Sequence, residues 1–175
     1  MSNGLENLAC YIRQVLDQSA GEEGKVRVCE RLSDVLMDDN FINIHLGART
    51  QGKPAREILY EDPEFGFCIC GHVYDGAAEG KPHDHGTTWA IYGQASGETE
   101  MTEWKVINKG SGNQPSLVEP QARYVMKRGD VKLYDVGVVH SPNRRASVKL
   151  IRIEGSNLDA MKRSNIEATK GFNAP

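Results

Sequence analysis

With 175 residues, 39% of them apolar and 26% charged, and with 18 Gly and 7 Pro, the chain has the composition of a turn-rich globular domain long enough to bury a core. A net charge of −3 gives no general attraction to nucleic acid or anionic lipid, and no apolar run approaches the roughly 18–20 residues needed to span a bilayer. The start, Met1-Ser2-Asn3-Gly4-Leu5-Glu6, is polar and unlike a signal peptide, so a cytoplasmic protein of one domain is expected.

Leu5, Leu8, Ala9, Ile12, Val15 and Leu16 recur at helical spacing and predict an amphipathic helix over 4–18. Gly21-Glu22-Glu23-Gly24 breaks it. Val28, Leu32, Val35 and Leu36 predict a second helix that Asp38-Asp39-Asn40 closes, so 1–40 reads as a helical extension that packs on a core. From about residue 57 the texture changes to short strands, predicted at 57–60, 65–74, 83–92, 98–107, 122–127, 131–135 and 147–154. Gly, Asn and Pro clusters separate them, and strands at this spacing indicate a sandwich or barrel over 57–155. Periodicity fades over 156–175, where a mobile tail is expected. Cys10, Cys29, Cys68 and Cys70 have neither zinc-knuckle spacing nor the density of a disulfide scaffold, and are expected as free thiols.

Chemistry concentrates in Pro82-His83-Asp84-His85 and at His140, which hold three of the five histidines. On a strand, His83 and His85 share a face and can reach one metal ion, whereas Asp84 points the other way and caps a turn. Gly80, His83, His85, Ala90 and Gly97 follow the first cupin motif, with a shortened first spacing and alanine at the glutamate position. Gly129, Asp135, Gly137 and His140 follow the second, with Asp135 replacing proline and Asn143 one place early for the terminal asparagine.

The chain therefore resembles the cupin superfamily over roughly residues 57–155. That resemblance implies a mainly β fold, a double-stranded β-helix (jelly-roll) barrel preceded by two helices, with His83, His85 and His140 as metal ligands at its mouth. Many cupins add a glutamate. With Ala90 in that slot the set is three neutral imidazoles, which leaves a divalent ion its full charge and open positions for small ligands. This three-histidine variant is similar to cysteine dioxygenase and its thiol-dioxygenase relatives. Arg56 falls near the place where those enzymes keep an arginine that clamps the substrate carboxylate; otherwise it is a solvated arginine at a strand start. The relatives' cysteine–tyrosine cross-link and their Ser-His-Tyr relay have no counterpart here, since 147–154 contains neither His nor Tyr. Arg152 on that strand is either a second cation inside the barrel or a surface charge. Tyr92 either hydrogen-bonds substrate or oxygen or is a core tyrosine, and Glu98 and Glu100 are either an inward surrogate ligand or solvated. Trp89 and Trp104 read as packing, and His45 and His72 as structural or surface residues.

The resemblance implies a mononuclear non-haem Fe(II) dioxygenase acting on a small carboxylate-bearing molecule, with thiols such as cysteine or 3-mercaptopropionate leading. Three imidazoles also suit Zn, Mn or Ni, so an isomerase, a lyase, a diketone-cleaving dioxygenase and a non-enzymatic small-ligand binder stay open. The expected partners are a small substrate and dioxygen, with a homodimer by analogy and neither nucleic acid nor membrane.

Overall fold

The computed structural model describes residues 4–47 and 54–169. Helices α1 (Gly4–Gln18) and α2 (Glu22–Leu36) form where the apolar spacing requires, and Leu8, Ile12, Val28, Leu32 and Leu36 are fully buried on their inner faces. The expected stop after α2 proves to be a start. Asp38 caps a third helix, α3 (Asp39–His45), by accepting from the backbone N–H groups of Asn40 and Phe41 at 2.9 and 3.2 Å. Phe41 and Ile42 then bury against the same layer.

The strands are β1 (Arg56–Glu61), β2 (Cys68–Tyr74), β3 (Ala78–Glu79), β4 (Ala90–Ser96), β5 (Thr99–Asn108), β6 (Ser116–Met126), β7 (Val131–Tyr134), β8 (Val139–Arg144), β9 (Val148–Glu154) and β10 (Ile166–Ala168). They build two five-stranded sheets, ordered β1-β2-β9-β4-β7 and β10-β6-β5-β8-β3. All pairings are antiparallel except β10 on β6. Apart from β1 with β2 and β5 with β6, neighbours in space are far apart in sequence, as in a jelly roll.

The first sheet separates two apolar regions. Ile69, Ile91, Ala95, Ile151 and Ile153 point outward into the large core beneath the helices. Gly93 allows this close approach, because a Cβ there would stand 2.8 Å from both Leu32 and Leu36 side chains. The alternate residues face the barrel, where Ala90, Tyr92, Met101, Met126 and Tyr134 form a smaller cluster. The main hydrophobic core therefore lies outside the barrel, and its interior can accept polar residues.

Some boundaries differ from expectation. Residues 83–89 are not the start of a strand: His83 makes an isolated bridge and Gly86 turns the chain at φ 66° before β4 begins. β8 was hidden by Pro142-Asn143, which resembles a turn. Pro142 fits because its carbonyl, not an N–H, faces the neighbouring segment and accepts from Gly80 N–H at 2.7 Å. The expected tail over 156–175 is structured through residue 169, with a 3-10 turn at Leu158–Ala160 and β10 paired in register with Ser116–Val118 of β6. The remainder, 170–175, lies outside the described residues. No helix among the described residues is long and apolar enough to cross a membrane.

Candidate metal centre

His83 and His140 come from motifs far apart in sequence, yet they are direct partners across a bridge. Each backbone N–H donates to the other's carbonyl at 3.0 Å. Their rings lie 4.6 Å apart, and His85 lies 4.7 Å from His140. One nitrogen from each of the three rings falls within 4.8 Å of the others. Among the described residues no carboxylate or thiolate joins this group.

The rings are oriented from behind. His83 Nδ1 donates to the Lys81 carbonyl at 2.9 Å and His140 Nδ1 to the Val138 carbonyl at 3.3 Å, which leaves the Nε2 lone pairs facing the cluster. Tyr134 stacks flat on His140, with ring centroids 3.8 Å apart. Burial pushes all three imidazoles toward the neutral form. It takes His85 to about 3 with help from the Arg152 charge, and His140 well below its usual range with help from the other two rings. His85 Nδ1 is buried without a partner. Neutral imidazoles with inward lone pairs, and a buried ring nitrogen lacking a partner, fit a divalent transition-metal ion.

Two facing sheets in this order, with the two histidine segments bridged at their mouth, decide the fold. The barrel is a double-stranded β-helix of the jelly-roll kind. No family model matches the chain, and no curated protein does. Solved structures that resemble it include a cupin superfamily protein from Desulfitobacterium hafniense, at 10% identity and TM-score 0.44 over 61% of this chain and 80% of that one. A protein with a double-stranded β-helix domain from Klebsiella pneumoniae matches at 16% identity and TM-score 0.47, over 69% and 84% of the two chains. KdgF from Halomonas sp. matches at 16% and 0.44, over 64% and 91%.

Tyr92 extends inward from β4, beside the histidines. Its hydroxyl is 3.1 Å from His85 Nε2 and 3.4 Å from His140 Nε2, and it accepts from Arg152 Nη1 at 3.0 Å. Arg152 is thus inside the barrel, placed there because Arg152 and Tyr92 are cross-strand partners. Glu154, fully buried, takes the rest of the Arg152 guanidinium at 2.6 Å. Burial would push the Glu154 carboxyl up, but Arg56 and Arg152 outweigh it and hold the group below the usual carboxylate range.

Arg56 is not where a substrate clamp would be. Its guanidinium binds Glu154 at 2.7 Å, Asp159 at 2.6 Å and Asn157 at 3.2 Å, and it does not line the cavity beside the histidines. Glu98 and Glu100 also lie elsewhere. Glu98 pairs with Lys127 at 3.4 Å, and Glu100 faces the outside of the second sheet near Arg145. Asp135, the substituted motif proline, ties the barrel to α2 through Lys25 at 2.8 Å. Asp84 turns away as expected, and accepts the N–H groups of Gly86 and Ser164 at 3.0 Å. Trp104 donates to Ser141 Oγ at 2.9 Å, and Trp89 packs against the large core. Cys68 and Cys70 are buried free thiols, while Cys10 is exposed.

Several site residues escaped the sequence reading. His72, Gln94, Thr99, Arg144 and Arg163 line a cavity of about 150 Å³ that also touches His83, Tyr92 and Arg152. Gln94 and Arg144 were within reach, since each continues the period-2 face of a residue already singled out, Tyr92 and His140. Nothing local marks His72, Thr99 or Arg163.

Proposed function

We propose that the chain is a metal-dependent enzyme in which His83, His85 and His140 hold one divalent ion, with Fe(II) preferred, for oxidation of a small carboxylate-bearing molecule by dioxygen. Thiol acids such as cysteine and 3-mercaptopropionate are the first substrates to test. The observation that carries the reading is the meeting of three neutral ring nitrogens within 4.8 Å, with no carboxylate among them, next to a cavity that His83 lines. If bound there, iron would supply Lewis acidity and a redox-active centre through which electrons pass from the substrate, the net reductant, to dioxygen. The Lys81 and Val138 carbonyls keep two rings in the ligating tautomer. The Tyr92 hydroxyl, held by Arg152, can donate a hydrogen bond or hold a proton next to whatever occupies the histidines. Ala90, Met101, Met126 and Tyr134 keep water from that side.

Metal analysis of the native protein, followed by oxygen uptake with 3-mercaptopropionate, cysteine and simple diketones, tests this. Iron with substrate-triggered uptake is expected. Zinc without uptake would overturn the dioxygenase and favour an isomerase or lyase at the same residues, and absence of any metal would favour a non-enzymatic small-ligand binder.

A further inference from the structure

Beyond Tyr92 the cavity is lined by Arg144, Arg152 and Arg163, with no carboxylate among its lining residues. Arg152 is already paired to Glu154. Arg144 is held differently: its guanidinium lies over the Tyr74 ring, 3.9 Å from the centroid, and its Nε is buried without a partner. Three further polar atoms of this cavity are also buried and unpartnered, namely His72 Nε2, Gln94 Oε1 and Thr99 Oγ1. Their side chains are almost wholly enclosed, at 2%, 0% and 2% exposure. Among the described residues, the one other unpartnered buried side-chain atom is His85 Nδ1, in the adjoining histidine cluster.

Unpaired polar atoms in a protein interior are unfavourable, so four around one cavity call for an occupant that supplies their partners. Neighbours fix their directions. Gln94 Nε2 donates to the Ser96 carbonyl at 2.9 Å, which leaves Oε1 as an acceptor needing a donor. His72 Nδ1 meets the Tyr74 hydroxyl at 2.9 Å, which leaves Nε2 toward the cavity. Met101, Met126 and Leu150 supply apolar wall between these points.

We infer that this cavity binds a small organic anion, a carboxylate whose short chain also carries a hydrogen-bond donor. Arg144 takes the carboxylate, Arg163 adds positive charge to the same cavity, and Gln94, Thr99 and His72 take the donor end. A cavity near 150 Å³ admits a molecule about the size of benzene, so the occupant has roughly six to eight non-hydrogen atoms. The inference rests on the proposed metal centre only for what happens to the bound molecule, not for its binding. It moves anion recognition from Arg56 to Arg144, on β8 with His140.

The test is calorimetric titration of chelator-treated protein with 3-hydroxypropionate, propionate and neutral 1,3-propanediol, with metal retention measured separately on untreated protein. The hydroxy acid should bind best, propionate more weakly and the diol not at all up to about 10 mM. Arg144→Gln should weaken both acids by about tenfold or more, Arg144→Lys should weaken them less, and Gln94→Leu should weaken only the hydroxy acid. Metal content should be unchanged in all three variants. Equal binding of the diol, no binding of either acid, or unchanged affinity in Arg144→Gln would overturn the anion pocket. Acid binding in a protein that never retains metal would instead sink the metal-dependent enzyme and leave the pocket standing.

Discussion

His83 and His140 exchange both of their backbone hydrogen bonds, so His83, which belongs to no continuous strand, is placed by a two-residue bridge to His140 on β8. Loss of either ring removes a third of the donor set. His140→Ala should therefore strip the metal as completely as His83→Ala, lowering affinity by at least about a hundredfold; emission spectroscopy on purified protein checks it, and retention in one variant alone would contradict the shared site. Arg56 belongs to a different device. It is one of two arginines neutralising the fully buried Glu154, which also accepts the Leu158 N–H at 3.1 Å. Arg56→Ala should reduce unfolding free energy in urea by about 2–4 kcal/mol, short of the loss for a wholly unpaired charge because Arg152 remains. Its metal content should match the parent protein.

Helices α1 and α2 were legible because each has one apolar stripe, and the stripe needs no knowledge of what it packs on, whereas the Asp38-Asp39-Asn40 run that caps α3 reads locally as a stop. The strands that carry the site were harder to read. β8 contains proline and asparagine, and its identity as a strand depends on β5 on one side and Gly80 on the other. Between α1 and β1 a polar clamp completes the docking, with Arg13 binding the buried Asp62 at 2.8 Å and Tyr60 at 2.7 Å. Burial alone would push the Asp62 carboxyl up, but the N–H groups of Phe65 and Glu64, with Arg13 and Tyr60, hold it below its usual value. A depressed folded-state value means that this stabilisation is complete above about pH 4 and is lost as pH falls through the lowered value. Asp62→Asn should accordingly lower stability at neutral pH and flatten the acid side of the stability profile, as measured by denaturant melts from pH 7 to pH 3. A profile parallel to the parent's would show that Asp62 carries no such linkage.

At the scale of the molecule, the large core lies between the helices and the outer face of the first sheet, away from the histidines. Metal removal should therefore lower the melting temperature without unfolding the chain. At a free metal concentration a hundredfold above the dissociation constant, the linkage amounts to about 2.7 kcal/mol. A chelated sample should show a lower melting temperature and an unchanged far-ultraviolet circular dichroism spectrum; collapse of that spectrum would mean that the ion is part of the core. What the sequence by itself determined is the donor chemistry and the burial pattern: histidines at motif spacing, alanine in place of a carboxylate, helices with one apolar face. Only the tertiary structure decided which charges are already paired and which are left to face a ligand. Arg56 meets Glu154 and Asp159 from the far end of the chain, and Arg144 meets the Tyr74 ring. Such pairings are made between residues remote in sequence, and no local period records them.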